Sequence, residues 1–156
     1  RFAHDLKAAS GAGLITPDLI PDEAAEWMDA ATRHGLENVF LAAPSSSDER
    51  LRRAAEQSHG FVYAVSTMGI TGTRDDVDSA ARTLVERLYA NGASEVCVGL
   101  GISSAEQVRD VVSFADGAIV GSALVRALAD AGPSGVATLV AELRTGTPGH
   151  NRRNER

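Results

Sequence analysis

The sequence predicts an α/β protein in which parallel strands alternate with helices. Three observations predict it. Five short apolar runs, at 13–15, 39–43, 61–66, 96–100 and 118–120, are each bounded by Gly, Pro or Ser, the pattern of a buried parallel strand. The segments between them place apolar residues at helical spacing. The units return about every 22 to 35 residues. That rhythm suits a (β/α) barrel, and a doubly wound sheet fits it as well.

Each element has its own signal. The chain opens Arg1-Phe2-Ala3-His4 without an initiator Met and reads as though it starts inside a helix. Pro21-Asp22-Glu23 begins the next helix, Trp27, Met28 and Ala31 form its core face, and His34-Gly35 closes it with glycine at the cap. Ser46 with Glu49 has capping-box spacing ahead of Leu51, Ala54 and Ala55. Val77, Ala81, Leu84, Val85 and Leu88 make the next stripe, which Asn91-Gly92 ends. Ser103 with Glu106 is a second capping box, leading into Val108, Val111 and Val112. Leu124, Val125 and Leu128 mark a helix after the last run. Pro133 starts a final one carrying Val136, Leu139, Val140 and Leu143. The expectation is one domain over 1–144, with about five parallel β/α units plus terminal helices, and a polar, disordered tail over 145–156.

Composition narrows the function. The formal net charge of −6 argues against a nucleic-acid surface, and the only basic run is the tail, Arg152, Arg153 and Arg156. No apolar stretch approaches the roughly 20 residues that cross a bilayer, and no signal peptide is visible. The lone Cys97 forms no internal disulfide and reads as a small core residue, so a reducing, cytoplasmic setting is expected. His4, His34, His59 and His150 lack metal-ligand spacing, so no metal is expected.

The chemistry points to an anion. Gly69-Ile70-Thr71-Gly72, Gly99-Leu100-Gly101-Ile102-Ser103 and Gly121-Ser122 follow the last three runs. Glycine admits close backbone approach, and helix N-termini favour anions. In (β/α) barrels phosphates sit at the loops after the seventh and eighth strands. The plainer reading of each glycine is a turn or cap. A dinucleotide site fails on Ser104, which stands where a third glycine is required. Asp18 lies past the first run, on the face where barrel sites gather, or is a turn aspartate between Pro17 and Pro21. Tyr63 either points into the barrel or packs in the core.

These motifs together resemble the tryptophan synthase α family. Gly13-Leu14-Ile15-Thr16-Pro17-Asp18-Leu19, followed by Pro21-Asp22-Glu23, is similar to its fourth strand and loop. Phe40-Leu41-Ala42-Ala43-Pro44-Ser45-Ser46 resembles its fifth strand. The stretch from Gly60-Phe61-Val62-Tyr63 to Thr67-Met68-Gly69-Ile70-Thr71-Gly72 resembles its sixth strand and mobile loop. Gly99-Leu100-Gly101-Ile102-Ser103 and Ile119-Val120-Gly121-Ser122-Ala123-Leu124-Val125 resemble its seventh and eighth. The resemblance implies a partial (β/α)8 TIM barrel, roughly strands four to eight. It implies retro-aldol cleavage of indole-3-glycerol phosphate to indole and glyceraldehyde 3-phosphate, in tryptophan biosynthesis, without a cofactor. It further implies a partner β subunit in an α2β2 complex, which carries the pyridoxal phosphate, docked on the loops 18–21 and 67–75. Gly72, Gly101, Gly121 and Ser122 are implied to bind the substrate phosphate. Tyr63, Leu100 and Asp18 are implied to line the substrate pocket, and Thr71, on the mobile loop, to position a catalytic aspartate. The family often has Phe at the position of Leu100 and proline at that of Ile20.

The family's catalytic glutamate and aspartate have no counterpart in the 156 residues, because Glu37 and Glu95 precede strands, at the wrong end of a barrel. The chain alone is therefore expected to turn over negligibly. Two further readings fit parts of the pattern. One is another phosphate-binding barrel, such as a phosphoribosyl isomerase or an indole-glycerol phosphate synthase relative. The loop 67–72, together with Pro17-Asp18, argues against it. The other is a non-catalytic half-barrel that binds phosphate or a partner and closes its own edges as an oligomer.

Overall fold

A computed structural model describes residues 1–65, 74–99 and 101–148, with the backbone alone for 74–78. The element order is α1 (Phe2–Ala8), β1 (Gly13–Thr16), a 3-10 turn (Pro21–Glu23), α2 (Ala25–His34), β2 (Glu37–Ala42), α3 (Asp48–Gln57), β3 (Val62–Val65), α4 (Arg74–Ala90), β4 (Val96–Gly99), α5 (Ala105–Val112), β5 (Gly117–Ile119) and α6 (Ser122–Arg144). Every strand pair is parallel, and the sheet order is β1-β2-β3-β4-β5.

That order decides between the two architectures the sequence allowed. A doubly wound sheet reverses direction at a switch point. Here each strand adds to the same side of the last, as in a barrel wall. Right-handed crossovers then put every connecting helix on one face.

The two faces are accordingly unlike. In-register partners share a face, so Phe40, Ala42, Val62, Ala64, Val96 and Val98 all point to the helices. Each is at most 2% exposed, and they form one core with Leu51, Leu84, Val85, Leu88, Val108 and Val111. Burying each of the larger side chains is worth about 1.5–3 kcal/mol. On the opposite face Leu41, Tyr63, Val65, Cys97 and Ile119 are half-buried and Ile15 is 42% exposed. The expectation of uniformly buried strands is thus corrected, because helices cover one side of the sheet only. Cys97 likewise stands on the open face, not in the packed core.

Several local expectations shift by one residue. The cap of α3 is Ser47, whose hydroxyl accepts from Arg50 N, while Ser46 Oγ accepts from Ala43 N inside the preceding turn. The cap of α5 is Ser104, paired reciprocally with Gln107 in a full capping box. In each case a neighbouring serine offers the same hydroxyl, and the chain's entry angle selects between them. Pro21-Asp22-Glu23 forms a separate 3-10 turn, because Ala24 (φ −93°, ψ 10°) interrupts the path into α2. Gly35 closes α2 in the left-handed region, as its position predicts. Within α6 the backbone breaks at Gly132 (φ 62°, ψ −158°) ahead of Pro133, so the two helices read from the sequence meet at a kink. Val125, Leu128 and Val140 leave that element's apolar stripe exposed. After Arg144 a turn brings Gly146 against Ala105 O, where a β-carbon would lie within 3 Å of Ala105 O and Val108 Cβ.

Candidate functional site

Parallel strands gather their C-terminal ends on one edge of the sheet. That edge carries Pro17-Asp18 after β1, the 43–47 connection after β2, Gly101 after β4 and Gly121-Ser122 after β5. Of the residues singled out from the sequence, the glycine segment 69–72 with Thr71 and Gly72, the loop 67–75 up to residue 73, and Leu100 lie outside the described residues, as does the tail from 149 onward.

Gly101 and Gly121 are brought into line by register. Gly99 pairs with Ile119, so each glycine stands two residues beyond a paired position on adjacent strands, which run about 4.8 Å apart. Gly101 has φ +65°, a conformation glycine adopts without cost. Among the described residues, a β-carbon on either would meet nothing within 4 Å.

The helix termini beside them differ. At α5 the Gln107 side chain accepts from Ser103 N (2.8 Å) and Ser104 N (3.1 Å), while Ser104 Oγ accepts from Gln107 N. The capping box thus occupies the N–H groups of Ser103, Ser104 and Gln107 within the chain. The N-terminus of α6 has no side-chain cap, and Gly121 serves only as the residue whose carbonyl receives the first helical bonds. The first N–H groups of an uncapped helix seek an outside acceptor, and the helix dipole favours an anionic one. Ser122, the first residue of α6, is exposed there with its hydroxyl. The arrangement suits a small tetrahedral anion against the end of β5, flanked by Gly101.

Tyr63 projects from the open face of the sheet. Its ring leans diagonally across β4, so that its hydroxyl oxygen would lie 2.2 Å from a β-carbon on Gly99. The absent side chain of Gly99 is what lets the phenol lie there, directed toward the Gly101 end of the strand. Cys97 uses the same device one strand further on, with Sγ where a Gly117 side chain would begin. Burial, with help from Asp116 and Glu95, pushes the Cys97 thiol up to about 11. Sequence reasoning missed both glycine partnerships, because they depend on register.

Asp18 occupies an exposed turn at the same edge, held by Thr16 Oγ1 donating to Leu19 O at 3.4 Å. Glu37 is the first residue of β2, and Glu95 directly precedes β4 and accepts from Val62 N through its carbonyl. Both stand at the N-terminal edge, across the sheet from the glycines. The rings of His4 and His34 meet edge-on at 5.8 Å. Among the described residues no three His, Cys, Asp or Glu side chains gather to hold a metal, and no helix is long and apolar enough to cross a membrane.

Comparison with known proteins identifies relatives of this chain. A family model described as Tryptophan synthase alpha chain matches residues 1–147. The tryptophan synthase alpha chain of Leifsonia xyli subsp. xyli is 64% identical over 146 residues, 94% of this chain and 56% of the relative. That of Mycobacterium avium is 55% identical over 145 residues, 93% of this chain and 54% of the relative. The aminoacrylate-bound tryptophan synthase structure from M. tuberculosis superposes with a TM-score of 0.83 at 48% identity, covering 94% of this chain and 55% of that one. The tryptophan synthase complex from Pyrococcus furiosus gives 0.76 at 32% identity, covering 92% and 57%. The chain thus spans about half the length of the curated relatives it matches.

Proposed function

The chain belongs to the tryptophan synthase alpha chain family, and from that premise we propose that it forms the phosphate-binding side of that family's active site. The observation that carries the reading is the uncapped N-terminus of α6 at Gly121-Ser122, next to Gly101 and opening onto the same edge as Tyr63. In this reading the phosphate of indole-3-glycerol phosphate accepts from the leading N–H groups of α6 and from the Ser122 hydroxyl. Gly101, and Gly72 on the loop outside the described residues, let the backbone close on it. Tyr63 and Leu100 flank the indole-glycerol part, and Thr71 acts from the loop. The reaction is the retro-aldol cleavage that releases indole and glyceraldehyde 3-phosphate. It uses no cofactor of this chain.

The cleavage needs one group to protonate the indole ring and another to take a proton from the glycerol hydroxyl, each within hydrogen-bond reach. Asp18 is the acid the sequence singles out on the strand-end turns, while Asp22 and Glu23 lie further along the same connection, with Asp22 paired to Arg53; one aspartate does not serve both ends of the reaction. We therefore propose that the 156 residues bind phosphate but do not turn over. A β subunit bearing pyridoxal phosphate is the proposed partner, docked on the 18–21 and 67–75 loops. Support comes from the matched Pyrococcus furiosus structure, which is a tryptophan synthase complex.

Calorimetric titration with glycerol 3-phosphate tests the binding half. A hydrogen bond to a charged group contributes about 1.5–3 kcal/mol, so Ser122→Ala should weaken binding roughly 10- to 100-fold. Equal affinity in wild type and Ser122→Ala refutes the assignment. Indole release from indole-3-glycerol phosphate tests the other half, and substantial turnover by these 156 residues alone refutes it.

A further inference from the structure

Two arginines, each on the helix of one β/α unit, reach back to the strand-to-helix connection of the unit before. Arg53 of α3 pairs with Asp22 in the 3-10 turn after β1. Arg87 of α4 turns onto the connection after β2. Its NH1 donates to Pro44 O at 3.1 Å, its NH2 to Ser46 O at 2.7 Å, and its NH2 and Nε to Asp48 Oδ1 at 2.7 and 3.0 Å. Neither residue belongs to the glycine site, and neither is needed for the core.

We propose that Arg87 is a positioning residue, a three-point clamp that sets the 43–48 connection on the strand-end edge, whereas Arg53 meets the connection before it through a side-chain ion pair with Asp22. Three features carry this. First, the clamped segment has little else to fix it. Pro44 and Ser46 are half-buried and Ser45 and Ser47 exposed, and within the turn Ala43 N donates to Ser46 Oγ at 3.2 Å and Ser46 N to Ala43 O at 2.9 Å. Secondly, two of the three acceptors are backbone carbonyls. Asp48 is 70% exposed, so its ion pair with Arg87 is solvent-screened and weak by itself. The two carbonyl bonds are part-buried and hold the chain whatever the Asp48 side chain does. Thirdly, the geometry needs the fork. A guanidinium presents several donors in one plane to three acceptors at once, whereas an ammonium on a flexible stem is a single point. The segment so held follows Leu41, which shares the open face with its register partner Tyr63. The clamp therefore sets where the wall beside Tyr63 ends.

Amide hydrogen exchange followed by mass spectrometry on this chain reads the clamp directly. Arg87→Ala should raise exchange across 43–48 at least about tenfold, while peptides covering 96–99 and 105–112 keep their rates, since local openings are independent of the global one. Arg87→Lys should not restore protection, and Asp48→Asn should raise exchange only slightly, because the carbonyl bonds remain. Unchanged exchange at 43–48 in Arg87→Ala, a uniform rise along the whole chain, or full protection in Arg87→Lys each overturns the proposal. Should Arg87→Ala lose its circular dichroism, Arg87→Lys decides alone, with native protection overturning and a local loss supporting. Phosphate affinity is not read in this experiment, so its outcome is separate from that of the glycine site.

Discussion

Replacing Gly99 by alanine should move Tyr63 rather than unfold the sheet. A β-carbon there would lie 2.2 Å from the Tyr63 hydroxyl oxygen and 2.7 Å from two ring carbons. Reaching an ordinary contact of 3.4 Å requires the hydroxyl to retreat by about 1.2 Å. Gly99 does not occupy the left-handed region, so the backbone accepts alanine without strain. Overpacking costs about 1–3 kcal/mol, and the stiffer unfolded chain returns about 0.4–1 kcal/mol. The net loss should be about 0–2.6 kcal/mol. The informative measurement is the cycle with Tyr63→Leu, whose shorter side chain leaves the space over Gly99 empty. In that background Gly99→Ala should be neutral or stabilising, giving a coupling of about 1–3 kcal/mol. Urea unfolding of the four chains, followed by circular dichroism, measures it. A coupling below about 0.5 kcal/mol, the scatter of independent sites, refutes the proposed overlap of Tyr63 with position 99.

Three further outcomes follow from the same geometry. Asp116 accepts from Tyr89 Oη at 2.6 Å and from Val96 N at 2.9 Å; Asp116→Ala should cost about 1–3 kcal/mol in a denaturant titration and Asp116→Asn distinctly less, since the amide oxygen still accepts. Ser104→Ala breaks the capping box of α5 and should cost about 1 kcal/mol, whereas Ser103→Ala should cost clearly less; equal effects would favour the cap at Ser103 that spacing alone suggests. With its thiol raised from 9.0 to about 11, Cys97 in the folded chain should react with iodoacetamide at pH 8 roughly 100-fold more slowly than in urea. Because the folded pKa is the higher one, the neutral thiol's contribution to stability is intact below about pH 9 and is lost as pH rises toward 11. An alkylation rate equal in both states contradicts the burial argument.

Much of the fold was legible in the chain. Strand runs, helix stripes, the Gly35 cap and the break before Pro133 are local, and local chemistry is written residue by residue. Capping serines were legible only to within one position, because adjacent hydroxyls compete and the backbone's entry angle chooses. The candidate anion site was legible as glycine segments. That the α5 terminus is closed by Gln107 while the α6 terminus is uncapped was not, since it depends on which donors the folded chain satisfies itself.

What the sequence by itself determined is the order of elements, the family they match, and which residue types stand at the strand ends. Periodicity left barrel wall and doubly wound sheet both open, since they differ only in the direction of strand addition, and the strand order bears out the barrel that the resemblance implies. Tertiary structure alone decided that Tyr63 lies over Gly99, Cys97 against Gly117 and Arg87 on the 43–48 connection. Those contacts join residues tens of positions apart. Their meeting is set by strand register and helix placement, which are global properties of packing and leave no mark in any local run of sequence.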